Sequence, residues 1–145
     1  MARLQLALNV NNLETAIAFY QSLFGVEPAK RRPGYANFAL DNPPLKLVLI
    51  ENSEAKERIN HMGIEVTSSD EVTEMGDRLQ AEGLATAPEN QVTCCYAVQD
   101  KVWVTEPEGI SWEVYTVRQD AERFAPMPTT SSVAASTESA TPCCQ

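Results

Sequence analysis

The sequence has few basic residues and no long hydrophobic run. It contains 11 lysine and arginine residues against 20 aspartate and glutamate residues, a net charge of -9. Nucleic acid is therefore disfavoured as a partner, because nothing here could neutralise a row of phosphates. The one basic cluster, Lys30-Arg31-Arg32, precedes Pro33-Gly34 and is interpreted as a solvated turn. No apolar run approaches the roughly 20 residues of a membrane span, and no signal-peptide core follows Met1. We therefore expect a cytoplasmic protein with no membrane partner.

Cysteines are also few, and their spacing excludes two common uses. All four fall in adjacent pairs, Cys94-Cys95 and Cys143-Cys144. Neither the dispersed spacing of a disulfide framework nor the C-x-x-C spacing of a zinc site is present. In a reducing cytosol we expect both pairs to be dithiols. Two adjacent thiols can together hold one soft atom, such as trivalent arsenic or cadmium.

The first half of the chain has a strand, a helix and further strands. Residues 4–10 alternate with period two, with leucines and Val10 on one face and Gln5, Ala7 and Asn9 on the other. A helix is predicted from Leu13 to Phe24, with a capping box formed by Asn11 and Glu14 and a stop at Gly25. Three strand-like runs follow it: Glu27–Arg31, Tyr35–Leu40 and Leu45–Ile50.

The second half repeats this order. Residues 61–66 alternate again, and Ser68 with Glu71 makes a second capping box before a helix that runs to Gly83. Four strand-like runs follow this helix, one more than in the first half. We expect the first of the four to be short or irregular. They are Leu84–Ala87, Thr93–Val98, Val102–Thr105 and Ser111–Val117.

The repeat predicts an α+β fold of two tandem βαβββ modules, about residues 1–52 and 58–120, within one domain of residues 1–122. Each helix covers one face of its half of the sheet. Side by side, the halves would form one open, curved mixed sheet, a cup with the uncovered faces inward. Residues 123–145 are rich in Pro, Thr, Ser and Ala, and we expect them to form a disordered tail that ends in Cys143-Cys144-Gln145.

Three polar residues are predicted to meet inside the cup. Gln5 and His61 occupy equivalent positions in the first strands of the two halves, and Glu113 points inward if Trp112 and Val114 pack toward the helix. A buried carboxylate is costly unless a positive group meets it. No lysine or arginine is predicted in strand register to do so, whereas a divalent cation would. The set is a variant of the two-histidine, one-carboxylate face of non-haem Fe(II), with moderate expected affinity.

Each residue also has an ordinary structural explanation. His61 could be a surface residue, Gln5 an inert residue near a terminus, and Glu113 an exposed residue on an edge strand. Adjacent side chains of a regular strand point to opposite faces, so two thiols holding one atom need a bulge or a loop at Cys94-Cys95. Otherwise one cysteine belongs to the core and the other is incidental.

Several motifs resemble one known family. The sequence is similar to the vicinal oxygen chelate superfamily, which includes glyoxalase I, bleomycin-resistance proteins and extradiol dioxygenases. It resembles most closely the arsenic- and cadmium-induced branch, which includes Fe(II)-dependent carbon–arsenic lyases. The similarity spans roughly Arg3 to Val117. The motifs that carry it include Pro33-Gly34-Tyr35-Ala36-Asn37-Phe38, Asn60-His61-Met62-Gly63, Thr93-Cys94-Cys95-Tyr96 and Asp100-Lys101-Val102-Trp103-Val104.

This resemblance implies oxygen-dependent cleavage of the carbon–arsenic bond in methylarsonous acid or trivalent aromatic arsenicals, with release of arsenite. Cys94 and Cys95, with Tyr96 beside them, would bind the substrate. Gln5, His61 and Glu113 would be the catalytic and metal-binding set for Fe(II), and Gln5 stands where many members have a histidine. Nickel or cobalt would substitute for iron in a crystal.

Two other functions remain open at this point. One is a non-catalytic thiol protein that binds cadmium or arsenite with both cysteine pairs. The other is a dioxygenase or drug-binding member of the superfamily, whose activity would survive Cys94→Ser. The sequence also leaves open the preferred arsenical, the native metal, the role of Cys143 and Cys144, and whether two chains form a homodimer.

Overall fold

The computed structural model describes residues 2–94 and 96–120 of the chain. Two helices and eight strands follow one another in the order strand, helix, strand, strand, strand, and then repeat it. The elements are β1 (Arg3–Val10), α1 (Leu13–Phe24), β2 (Lys30–Arg32), β3 (Tyr35–Asp41), β4 (Pro44–Glu51), β5 (Ile59–Glu65), α2 (Ser69–Ala81), β6 (Ala87–Cys94), β7 (Ala97–Thr105) and β8 (Ser111–Asp120).

All eight strands form one open, curved mixed sheet in the order β2-β3-β4-β1-β5-β8-β7-β6. The modules meet where β1 runs antiparallel to β5. Each first strand also pairs in parallel with the last strand of its own module, β1 with β4 and β5 with β8. The prediction of an α+β fold with a cup-shaped mixed sheet is confirmed.

The helices begin and end largely where the sequence predicts. Ser68 and Glu71 form the predicted capping box of α2, which ends at Ala81 rather than continuing to Gly83. Gly25 ends α1 with φ 70°, a conformation that glycine adopts without strain. The capping box predicted for Asn11 is wrong by one residue, because Asn12 is the N-cap and its side chain accepts from the Thr15 amide.

Both helices pack on one face of the sheet, and this packing leaves the other face for the polar residues. Leu13 and Ile17 of α1 pack with residues of β3 and β4 and with Leu6, Leu8 and Val10 of β1. Val72 of α2 packs with buried valines of β7 and β8. Because side chains alternate along β1, the opposite face carries Gln5, Ala7 and Asn9, as predicted, and all three are buried.

The second module differs from the sequence prediction between residues 84 and 105. The run predicted at Leu84–Ala87 is not a strand, since β6 begins at Ala87. The run predicted at Thr93–Val98 is divided between β6 and β7, because Cys94 pairs with Ala97 and the chain reverses between them. Tyr96 has φ 61°, a turn conformation that its residue type does not signal. The second module therefore has three strands after its helix, like the first.

Two further predictions concern other parts of the chain. The basic cluster at Lys30 is a short edge strand rather than a turn. The tail of residues 123–145, with Cys143 and Cys144, lies outside the described residues. Within the described part, neither helix has the length and apolarity that a bilayer crossing requires.

Candidate metal and substrate site

Three side chains from three central strands meet on the concave face. The Gln5 amide nitrogen donates to Glu113 Oε1 at 2.7 Å and lies 3.0 Å from His61 Nε2. His61 Nε2 is 3.2 Å from Glu113 Oε1. All three side chains are buried. The structure thus brings together the three residues that the sequence pattern selected, although they are separated by 56 and 108 positions from Gln5.

Gly63 allows these side chains to approach. It lies beside Gln5 across the β1–β5 seam and beside Glu113 across the β5–β8 pair. A Cβ at this position would stand 3.0 Å from both Glu113 Cγ and the Glu113 carbonyl oxygen, and 3.3 Å from Gln5 Nε2. A side chain at this position would therefore fit only if Glu113 and Gln5 shifted.

The imidazole of His61 is oriented by a short chain of amides. Its Nδ1 lies 2.7 Å from Asn60 Oδ1, an acceptor, so Nδ1 donates this hydrogen bond. Asn60 in turn donates to Asn9 Oδ1 at 3.0 Å, and Asn9 donates to the Glu57 carbonyl at 2.9 Å. With its hydrogen on Nδ1, the neutral ring presents the lone pair of Nε2 to Gln5 and Glu113. A partner of this kind on the second nitrogen is typical of metal-binding histidines.

Glu113 has a positive partner that the sequence analysis missed. Lys101 Nζ donates to Glu113 Oε2 at 2.8 Å, and neither side chain is more than 4% exposed. The expectation that no basic residue lies in register was wrong. It started the strand at Val102 and left Lys101 outside it, whereas β7 starts at Ala97 and includes Lys101. Burial alone would raise the pKa of Glu113, but the charge of the adjacent Lys101 outweighs this effect and lowers the pKa to about 2. Glu113 is thus a carboxylate at neutral pH, with Oε1 directed at the other two residues.

Trp103 is a second residue that the site prediction omitted. Its ring meets the His61 ring edge-on at 5.3 Å, and the Lys101 ammonium lies 5.4 Å from its centre. Lys101 and Trp103 are two positions apart on β7, so both side chains face the cup. The motif Asp100-Lys101-Val102-Trp103-Val104 carried this signal, since it places one cation and one aromatic ring on a single face of a strand.

The donor chemistry of Gln5, His61 and Glu113 fits a divalent metal ion. His61 Nε2 and Glu113 Oε1 are both acceptors, and the Gln5 amide presents an oxygen in place of its nitrogen when it turns over. Lys101 occupies only one carboxylate oxygen and leaves the other for a metal. Within residues 2–94 and 96–120 no three His, Cys, Asp or Glu side chains cluster, so any metal here depends on the weak amide ligand.

A cavity of about 510 Å³ opens above this group. The inward side chains of β1 lie in three rows: Arg3 and Gln5 line the cavity, and Ala7 packs in an apolar cluster next to them. Arg3 donates to Glu65 Oε1 at 2.7 Å, and Lys46 donates to Glu65 Oε2 at 3.0 Å. The end that Arg3 occupies is therefore lined by charges.

The turn between β6 and β7 packs beside the cavity, and Ala97 after the turn lines it. Tyr96 packs in an apolar cluster with Ala7 and Tyr35, and its hydroxyl donates to the Pro33 carbonyl at 3.1 Å. Lys30 Nζ donates to the Tyr96 carbonyl at 2.9 Å. The turn that follows Cys94 is thereby held against the first module. The Cys94 thiol and all of Cys95 lie outside the described part, so their pairing on one atom stays a prediction.

Comparison with known proteins identifies the family to which the chain belongs. The profile of the glyoxalase/bleomycin resistance protein/dioxygenase superfamily matches residues 3–114. The chain belongs to this superfamily. Its match to the Mn(II)-bound glyoxalase of Novosphingobium aromaticivorans, with a TM-score of 0.60 at 22% identity over 87% of this chain and 44% of the other, shows the shared fold of the glyoxalase superfamily.

Curated members of the superfamily are much more similar in sequence. The cadmium-induced protein CadI of Mycobacterium tuberculosis H37Rv is 58% identical over 128 residues, covering 88% of this chain and 84% of CadI. The trivalent organoarsenical cleaving enzyme of Thermomonospora curvata is also 58% identical, over 86% of this chain and 83% of that enzyme. An enzyme of the same description from Bacillus sp. strain MD1 is 41% identical over 87% of this chain and 80% of its own.

Proposed function

We propose that this protein cleaves the carbon–arsenic bond of trivalent organoarsenicals with Fe(II) and oxygen, and releases arsenite. The observation that carries the proposal is the meeting of Gln5, His61 and Glu113 in a cavity bounded by the turn that follows Cys94. The relatives named as organoarsenical cleaving enzymes support the same reaction.

Gln5, His61 and Glu113 would hold the metal in this proposal. Fe(II) supplies the capacity to activate oxygen, which a protein side chain lacks. Asn60 fixes the imidazole through Nδ1, and Lys101 fixes the carboxylate through Oε2. His61 and Glu113 therefore need little rearrangement when the metal enters, whereas the Gln5 amide turns over to present its oxygen.

Cys94 and Cys95 would hold the arsenic of the substrate. Arsenic held beside Tyr96, which packs on Ala7, would direct its carbon substituent toward the row of Gln5. Tyr96 packs on the first module and fixes the turn relative to this row. The walls of the cup exclude water from one side of the substrate, and the two sulfur atoms restrict its rotation.

A non-catalytic thiol protein is the second candidate function. The relative named as cadmium-induced is as similar in sequence as the cleaving enzyme, and its name describes its induction. A protein of this class would bind cadmium or arsenite through its thiols without consuming oxygen. Gln5, His61 and Glu113 would then be a structural cluster.

The two functions are separated by arsenic speciation. The protein is loaded anaerobically with Fe(II) and then given oxygen and methylarsonous acid, and arsenite is separated by chromatography. We expect arsenite only when iron and oxygen are present, and none with Cys94→Ser or Cys95→Ser. The matched control is the double variant Cys143→Ser/Cys144→Ser, which removes two adjacent thiols elsewhere and should retain cleavage. Arsenic binding without arsenite release, in protein shown to contain iron, would favour the thiol protein.

A further inference from the structure

The cavity is lined by more cations than carboxylates, although the chain has a net charge of -9. Its charged lining residues are Arg3, Lys30 and Lys46 against Glu65 and Glu113. The carboxylate of Glu113 is already paired with the ammonium of Lys101. At the other carboxylate, Glu65, two lining cations meet, Arg3 and Lys46.

The cations at the Arg3 end exceed what their carboxylate requires. Arg3 binds one oxygen of Glu65 and Lys46 binds the other, which leaves this cluster with one positive charge in excess. Arg3 already pairs with Glu65 across the β1–β5 seam, so a second ammonium is not needed to compensate Glu65. Lys46 is only 12% exposed, and burying a second ammonium costs desolvation energy.

Both cations keep donors directed at the cavity. Arg3 uses its Nε for Glu65, and its two terminal amino groups make no hydrogen bond to other described residues. Lys46 makes one hydrogen bond, to Glu65, and its ammonium lies 5.3 Å from the centre of the Tyr115 ring. Five guanidinium hydrogens and three ammonium hydrogens are thus only partly used.

The order of the rows determines which part of a substrate would meet these cations. Tyr96 packs on Ala7, whereas Gln5 and Arg3, two and four positions back along β1, line the cavity. Inward residues two positions apart on a strand are about 7 Å apart. An aryl group whose arsenic is held near Ala7 would therefore cross the Gln5 row with its far substituent directed at Arg3 and Lys46.

From this geometry we infer that Lys46 and Arg3 form an anion subsite that binds an acidic substituent on the organic group of the arsenical, a carboxylate para to arsenic being the simplest case. The inference rests on the proposed function for the placing of the arsenic. It defines the substrate class as aryl arsenicals that carry a negative charge opposite the arsenic atom.

Two arsenicals of nearly equal shape test the subsite. The probes are phenylarsonous acid with a para-carboxylate and phenylarsonous acid with a para-carboxamide, which differ in charge. Dissociation constants are measured by equilibrium dialysis of arsenic under argon with iron-free protein, and cleavage is followed separately after iron loading. The variants are Lys46→Met, Lys46→Arg and Arg3→Gln, with Lys56→Met as the matched control, because Lys56 is exposed and outside the cavity.

We expect wild type to bind the carboxylate more tightly than the carboxamide by about tenfold, the size of one charge-assisted hydrogen bond. Lys46→Met should abolish this preference, Lys46→Arg should restore most of it, and Lys56→Met should retain it. Arg3→Gln should also reduce it, which provides a second measurement if Lys46→Met does not fold.

Equal binding of the two probes by wild type would overturn the subsite, as would a preference that survives both Lys46→Met and Arg3→Gln. Either result with normal cleavage leaves the proposed function standing. A Lys46-dependent preference in protein that cleaves neither probe after iron loading would support the subsite and overturn the lyase.

Discussion

The two modules share one backbone plan and differ in what they place on the concave face. Gln5 of β1 corresponds to His61 of β5, and the parallel pairing with the last strand of each module then aligns Val48 with Glu113. The β3–β4 and β7–β8 pairings likewise align Tyr35 with Lys101 and Asn37 with Trp103. At matched positions the first module has an amide and apolar or neutral side chains, whereas the second has an imidazole, a carboxylate and an ammonium.

This difference shows how a duplicated fold divides its tasks. The first module supplies the surface on which Tyr96 packs, through Tyr35, Pro33 and Lys30. The second supplies the charged residues of the candidate metal site. Neither module presents both parts, so the candidate site needs residues from both modules.

Breaking the buried ion pair of Lys101 and Glu113 should have the largest effect on stability. The matched residues of the first module, Tyr35 and Val48, carry no charge. Lys101→Met would leave the carboxylate of Glu113 buried without its partner, which costs about 3–5 kcal/mol of unfolding free energy. Urea unfolding of metal-free protein measures this loss. Lys56→Met, at an exposed position, should change the stability by less than about 0.5 kcal/mol. A Lys101→Met loss no larger than that control would contradict the assigned role.

Gly63 offers a second test of the difference between the modules, because the matched residue of the first module is Ala7. A Cβ is accommodated at Ala7 beside Val48, but at Gly63 it would meet Glu113 at 3.0 Å. Gly63→Ala should therefore weaken Fe(II) binding by roughly 10- to 100-fold through displacement of Glu113 and Gln5. Anaerobic titration with Fe(II) measures it.

Gly76→Ala is the control for this substitution. A Cβ at Gly76 would touch only Val102 side-chain atoms at 3.7–3.8 Å, an ordinary contact. Metal affinity should be unchanged and helix α2 slightly stabilised. Equal metal affinity in Gly63→Ala and Gly76→Ala would show that the close approach at Gly63 does not limit the site.

Giving β1 the histidine that β5 has at the matched position should have an intermediate effect on metal affinity. Gln5→His replaces a weak amide ligand with the imidazole found at the matched position 61. We expect Fe(II) to bind about tenfold more tightly, since imidazole is the better ligand for this ion. Gln5→Leu removes the donor and should shift the dissociation constant in the opposite direction. Indistinguishable dissociation constants for the three proteins would exclude Gln5 as a metal ligand.

The smallest effect concerns the charged cluster that joins the modules at Arg3 and Glu65. Burial opposes ionisation of Glu65, but Lys46 and Arg3 hold its pKa below the ordinary 4.5. A carboxyl with a lowered folded pKa stabilises the protein above the unfolded pKa, and this contribution is lost as the pH falls through the folded pKa. Glu65→Gln should therefore be less stable than wild type by about 1 kcal/mol at neutral pH.

The pH profile of unfolding provides the check. The difference between wild type and Glu65→Gln should shrink as the pH falls below 4.5 toward the lowered pKa of Glu65. Glu74→Gln, at an exposed position of α2, should show no such trend. A pH-independent difference would mean that Glu65 acts through its shape and not its charge.

Alternation and repetition in the sequence predicted the centre of the site. Period-two patterns place Gln5 and His61 on the inward faces of their strands, and the alternation of β8 does the same for Glu113. These patterns suffice because the helices must cover the leucine and valine faces. The curved sheet with two helices on one face follows from the same argument.

The surroundings of the site could not be predicted in this way. The reversal between Cys94 and Ala97 contains neither glycine nor proline, and the left-handed backbone of Tyr96 is maintained by its packing on Tyr35. Missing this turn shifted β7 and removed Lys101 from the strand. Lys30 was missed for a related reason, since its contact with Tyr96 joins positions 66 residues apart.

The candidate site forms late in the synthesis of the chain. Gln5 and Glu113 are 108 positions apart, so the ribosome must release nearly the whole described chain before these side chains can meet. Contacts of such sequence separation form late and slowly. Until β8 has left the ribosome, Lys101 lacks the Glu113 carboxylate that it binds in the folded protein. The candidate metal site is therefore among the last parts of the described chain to form.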